Sequence, residues 1–144
     1  MPSQGKPPQQ IIWPLLVAAL IFLASSRSHL AGPEVTHLDK VAHFGVYGLL
    51  ATLACRLGGG WRAAAWALLA VSAYGATDEW HQSFVPGRST ELADWIADTA
   101  GAALAVSLYT GWARYRQLLE RPLRPEGIGW RTADGRRQTT DGRP

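Results

Sequence analysis

Four apolar runs separated by short polar breaks organise the chain. The first, IIWPLLVAALIFLA, holds 14 residues and ends at Ser25, Ser26 and Arg27. A Gly/Pro loop, SHLAGPEVT, follows and leads into HLDKVAHFGVYGLLATLACRL, which is polar at its start and apolar from Phe44 onward. The glycines at 58–60 break that run. The next, WRAAAWALLAVSAYGAT, is apolar for about the length a bilayer core requires. Pro86-Gly87 then marks a turn, and the last run extends from Leu92 to Trp112, interrupted early by Asp94 and Asp98.

None of the runs alternates in the manner of barrel strands, and Ala and Leu dominate them, which favours helices. A water-soluble helical bundle would carry a polar stripe along each helix, yet 63–76 and 99–112 carry none. The pattern therefore predicts an all-α polytopic membrane protein, a bundle of about four transmembrane helices near 11–26, 38–57, 61–82 and 91–112. Trp13, Trp61, Trp80, Trp95 and Trp112 fall near the ends of these spans, where indole rings prefer the headgroup layer. The first run is short enough to be a signal-peptide core cleaved near Ala24–Ser26; a retained first span is the reading adopted.

Composition sharpens this picture at the ends. The length of 144 residues is that of one domain. Residues 1–10, polar and proline-rich, are expected to be disordered, and 11–112 to form the membrane domain. Residues 113–144 carry eight arginines and form an expected disordered tail. The net charge of +3 arises in that tail, so no nucleic-acid partner is expected. Cys55, the single cysteine, can make no internal disulfide, and no CxxC or Cys/His pattern is present.

Lys and Arg mark the cytoplasmic side of short loops. The arginine tail, the Arg56–Arg62 turn and Lys6 all fall inside in one consistent orientation, with both termini cytoplasmic and the protein multi-pass in the cell (inner) membrane. The same orientation puts Glu34, Asp39, Asp78, Glu79, Glu91, Asp94 and Asp98, seven of the eleven acids, on the outer side. All four histidines, His29, His37, His43 and His81, lie there too.

The polar residues form spaced sets. Asp39, His43 and Tyr47 stack on one helical face at i, i+4 and i+8, and Asp39 suits a helix N-terminus. Asp78 and Gln82 are one turn apart with Glu79 beside them, acids set against a helix C-terminus that need compensation. A Glu79–Arg88 pair is the expected answer. Ser89 or Thr90 is placed to cap the last helix. Asp94, Asp98 and Gly101 share a face; Asp98 needs a partner, either His43 or Arg88, and Gly101 permits close helix approach. Asp39, Lys40, His43, Asp78, Glu79, Gln82, Arg88, Asp94 and Asp98 are thus the candidate ligand-binding cluster. The same residues read equally as a structural lock between helices. Several could ligate a metal, but no HExxH-type spacing appears, so neither a metal nor a cofactor is expected. No serine elbow or cysteine nucleophile is evident either, which leaves binding and catalysis both open.

Three ordered motifs carry a resemblance. They are Asp-Lys-x-x-His-Phe-x-x-Tyr at 39–47, Asp-Glu-x-x-Gln-x-Phe-x-Pro-Gly-Arg at 78–88 and Asp-x-x-x-Asp-x-x-Gly at 94–101. Over residues 37–110 the chain resembles the VanZ-like family of small multi-span bacterial membrane proteins, named for a protein linked to teicoplanin resistance. By that resemblance the family's polar positions fall on Asp39, Lys40, His43, Glu79, Gln82, Pro86, Gly87, Arg88, Asp94 and Gly101. Asp98 departs from it, since many members have asparagine there, and adds negative charge. The one-sided clustering of polar motifs points to an outer-face site that binds or modifies a cell-envelope molecule, a lipid-linked precursor or lipid headgroup, and the resemblance adds an expected link to glycopeptide antibiotic response. A non-enzymatic scaffold subunit is the alternative. A proton- or cation-coupled transporter component would need a polar path towards the cytoplasm, which 48–57, 63–73 and 100–110 hardly offer.

Overall fold

The computed structural model describes residues 8–28 and 36–120. A short 3-10 turn, Pro8–Ile11, leads into α1 (Ile12–Ser25), followed by α2 (Thr36–Cys55), α3 (Gly60–Gln82), α4 (Leu92–Gly111) and α5 (Ala113–Glu120). The all-α expectation holds: every regular element among the described residues is helical.

Glycine sets two of the connections. Gly60 starts α3 with φ of 78°, and Gly87 has φ of 80° in the turn after α3. That second turn closes through the Arg88 amide donating to the Val85 carbonyl at 3.1 Å. Proline at its first central position and a left-handed glycine at the second define a type II turn.

Small residues decide how the helices pack. Along the α2–α4 crossing, a Cβ on Gly101 would lie 2.1 Å from the Phe44 carbonyl oxygen, and one on Gly48 would lie 3.2 Å from the Gly101 carbonyl oxygen. Backbones therefore touch where side chains would normally intervene. Tyr47, Leu50, Ala51, Val71, Ala102 and Ala105 form the main apolar core with Ile21 of α1. A second cluster, Cys55, Ala64, Ala67 and Tyr109, fills the opposite end.

The outer surface is apolar. Trp13, Leu15, Leu20 and Leu23 of α1, Trp61, Trp66 and Leu69 of α3, and Ile96 and Leu104 of α4 are all exposed. Even so, among the described residues no helix is both long and apolar enough to cross a membrane. Helix α1 is uniformly apolar but has 14 residues, about 21 Å, against a hydrocarbon core of about 30 Å. Helices α2, α3 and α4 have 20, 23 and 20 residues but carry charge: Asp39 and Lys40, then Arg62, Asp78 and Glu79, then Asp94 and Asp98.

Helical structure extends further towards both ends than the sequence suggests. Residues 8–11 are already a helical turn, and 113–120 form α5 rather than disordered tail. The cause at the C-terminal end is packing. Leu119 sits against the Cys55–Tyr109 cluster, and the Tyr109 hydroxyl donates to Glu120 Oε1. Residues 1–7 and 121–144, for which disorder was expected, lie outside the described residues, as does His29.

Candidate functional site

The polar groups gather at one end of the bundle because consecutive helices run in opposite directions. The N-terminal halves of α2 and α4 meet the C-terminal ends of α1 and α3 there. Cross-helix contacts mark the meeting: Lys40 of α2 with Asp94 of α4, His43 of α2 with Asp98 of α4, and Ser25 of α1 with Asp78 of α3.

At the rim, Lys40 Nζ donates to Glu91 Oε2 and Asp94 Oδ1, both at 2.8 Å. The lysine is partly exposed and Asp94 is buried. Asp39, one residue earlier on α2, is exposed. A turn deeper, His43 Nδ1 lies 2.9 Å from Asp98 Oδ1, and its ring stacks on Tyr47, 6.2 Å between centroids. His43 and Tyr47 thus share a helical face, and of the two partners expected for Asp98 it is His43, not Arg88, that meets it.

Beneath and beside this pair lies a carboxylate layer from α3. Glu79 Oε2 accepts the Glu91 amide at 3.0 Å. The Gln82 amide donates to Asp78 at 3.1 Å and to Glu79 at 3.4 Å. Ser25 donates to Asp78 Oδ2 at 2.8 Å. Asp78, Glu79, Gln82, Asp94 and Asp98 are all buried, Asp98 fully at 0 % exposure.

Two expectations are corrected. Glu79 does not pair with Arg88, whose guanidinium donates instead to the Ala24 carbonyl at the end of α1, at 3.3 Å. The type II turn brings Arg88 to that helix terminus, where the Ala24 carbonyl also accepts the Arg27 amide at 3.2 Å, while the Glu91 backbone takes its place at Glu79. Nor do Ser89 and Thr90 cap α4. Glu91 is the N-terminal flanking residue, without a side-chain cap, and Thr90 donates to the Glu79 carbonyl.

Of the nine candidate residues, Lys40, His43, Asp78, Glu79, Gln82, Asp94 and Asp98 form one connected cluster, with Asp39 at its edge. Arg88 stands towards α1. His81 also lies outside it, its ring stacked on Phe22 at 4.6 Å and its Nε2 at 3.0 Å from Ser26 Oγ. Sequence reasoning missed Ser25 and the structural use of Glu91. Serine at the end of an apolar run looks like a simple boundary, and nothing in its spacing names Asp78 as its partner.

Among the described residues, four buried polar atoms have no hydrogen-bond partner: Tyr47 Oη, Asp78 Oδ1, Asp98 Oδ2 and Arg88 Nε. Three of them belong to the interior of the cluster. A Cβ on Gly75 would lie 2.9 Å from Asp98 Oδ2 and 3.3 Å from Tyr47 Cε1, so glycine there lets both side chains reach α3. His43, Glu79 and Asp98 each bring a potential ligand atom within 4.8 Å of the others, as do Asp39, His43 and Asp94. No linear spacing could reveal these sets, because their members come from different helices.

Ionisable side chains inside and large apolar side chains outside define a class: an all-helical bundle of inverted polarity with a charged cluster at one end. The VanZ/LLP1 family model matches residues 6–114, and the chain belongs to that family. No curated protein and no solved structure matches the chain.

Proposed function

We propose that this protein is a polytopic inner-membrane member of the VanZ/LLP1 family. Its polar cluster faces the outer side and binds, or presents for modification, the headgroup of a cell-envelope lipid or lipid-linked precursor. The observation that carries this is the pairing of an apolar exterior with a charged interior confined to one bundle end. Exposed leucines and tryptophans around the helices suit a lipid surround, with which helices of modest hydropathy associate through their small-residue crossings. Charged helix ends then sit at the interface, where the cost of burial falls.

Within the site, the rim supplies recognition. Lys40 and Arg88 are partly exposed cations, and Arg88 Nε has no partner. A guanidinium and an ammonium are the groups that engage phosphate or pyrophosphate, the charged part of such headgroups. Buried Asp94 holds Lys40 in place and the Ala24 carbonyl holds Arg88, so the carboxylates need not meet the anion themselves.

One observation favours a second reading, a structural lock within a scaffold subunit. Each of the pairs Ser25–Asp78, Lys40–Asp94 and His43–Asp98 joins two different helices. Binding of phosphate-bearing lipid to the detergent-solubilised protein separates the two. The site reading expects Arg88→Ala to weaken binding at least about tenfold while the melting temperature stays close to wild type. Unchanged lipid binding with a lowered melting temperature would leave the lock as the better account.

A further inference from the structure

We propose that His43, Glu79 and Asp98 form a binding site for a divalent transition-metal ion of the manganese or zinc type, held between α2, α3 and α4. The proposal goes beyond headgroup binding and does not depend on it.

Two observations meet here. The first is geometric: the three side chains present one nitrogen and two oxygen donors within 4.8 Å of one another. Ligands at right angles on an ion, each about 2.1 Å from it, stand about 3 Å apart. The 2.9 Å between His43 Nδ1 and Asp98 Oδ1 already has that value. Glu79 brings a carboxylate oxygen within 4.8 Å of both as the third donor. Its backbone and amide partners, the Glu91 N–H and the Gln82 side chain, are the outer contacts that orient a metal-ligating carboxylate.

The second is the unpartnered Asp98 Oδ2, on a residue with no exposed surface. A buried carboxylate oxygen without a donor is costly, and neither Ser25 nor Gln82 reaches this one. Charge points the same way. Lys40 offsets Asp94 at 2.8 Å, but among the described residues no lysine or arginine pairs with Asp78, Glu79 or Asp98. A divalent ion supplies the missing positive charge. The other set, Asp39, His43 and Asp94, is a weaker choice, because Asp39 is exposed and Asp94 is already neutralised by Lys40. An imidazole with two carboxylates suits manganese and zinc better than magnesium, which demands six oxygens in near-ideal octahedral array.

The test uses the full chain in detergent, stripped with a chelator and re-equilibrated with Mn²⁺, Zn²⁺ or Mg²⁺ without added lipid. Metal content after gel filtration and the melting temperature are both read. About one equivalent of Mn²⁺ or Zn²⁺ per chain, with a raised melting temperature, is the expected result. Glu79→Gln and Asp98→Asn, which keep side-chain shape, should each weaken binding at least about tenfold while remaining monodisperse, whereas Asp39→Asn and His81→Ala should bind as wild type. Failure of the wild type to retain either ion overturns the proposal, as does wild-type affinity in both Glu79→Gln and Asp98→Asn. Loss of binding in Asp39→Asn would also overturn it, by moving the site to the rim.

Discussion

At the residue scale, Asp98 concentrates the physical problem of this molecule. It is fully buried, bonded to His43 through one oxygen and unpartnered at the other. Asparagine in its place keeps an oxygen for His43, removes one buried negative charge and offers an N–H to Tyr47 or Asp78. In the chelated protein, Asp98→Asn should therefore leave the melting temperature unchanged or raise it. Asp98→Leu strands the imidazole and should lower stability by roughly 1–3 kcal/mol, the cost of an unsatisfied buried partner. Thermal unfolding in detergent compares the two, and an equal loss in both variants would show that charge repulsion is not the issue at this position. Glu79 offers a parallel case. Because it holds the Glu91 amide and not Arg88, Arg88→Ala should leave the α3–α4 turn intact by amide exchange, while Glu79→Ala should loosen it.

At the element scale, the α2–α4 crossing is governed by missing side chains. Gly101 faces the Phe44 backbone so closely that a methyl group would overlap the carbonyl, whereas a Cβ on Gly45, one residue further along α2, would meet nothing within 4 Å. Gly101→Ala must push the helices apart and should cost about 1–3 kcal/mol as an overpacked core position. Gly45→Ala should instead stabilise, by up to about 1 kcal/mol, through helix propensity alone. Paired melting curves check the contrast; equal effects would place the helices further apart than described. Separation of α2 and α4 would also draw His43 from Asp98, so Gly101→Ala should weaken metal retention although Gly101 touches no ligand. Helix α5 shows the same reasoning at the far end. Its arginines are uninformative, and what orders it is Leu119 and Glu120 meeting the Tyr109 end of the core.

At the scale of the whole molecule, polarity is inverted. A soluble bundle buries its leucines, whereas here leucines and tryptophans are exposed and acids are buried. Exposed apolar surface of this extent marks an interaction surface, and a lipid surround is the partner the chain's own pattern proposes. The proposed membrane orientation expects reporters fused after residue 144 and ahead of residue 1 to respond as cytoplasmic, and one inserted at Gly87 as external. A C-terminal reporter read as external would reverse the arrangement and put the cluster on the inner face.

The sequence by itself determined the all-helical class, the helix breaks and the family, because these follow from local composition, from glycine and proline, and from short ordered motifs. It also marked most of the polar cluster, since Asp39, His43 and Tyr47, or Asp94 and Asp98, share a face through the helical repeat alone. What only the tertiary structure decided was who meets whom. Asp98 takes His43 rather than Arg88 of its two expected partners, Arg88 turns to the end of α1, Ser25 reaches Asp78, and His43, Glu79 and Asp98 draw together. Such pairings depend on the rotation and spacing of helices set by the Gly48–Gly101 crossing and by Gly75, and no periodicity within one helix encodes its angle to another.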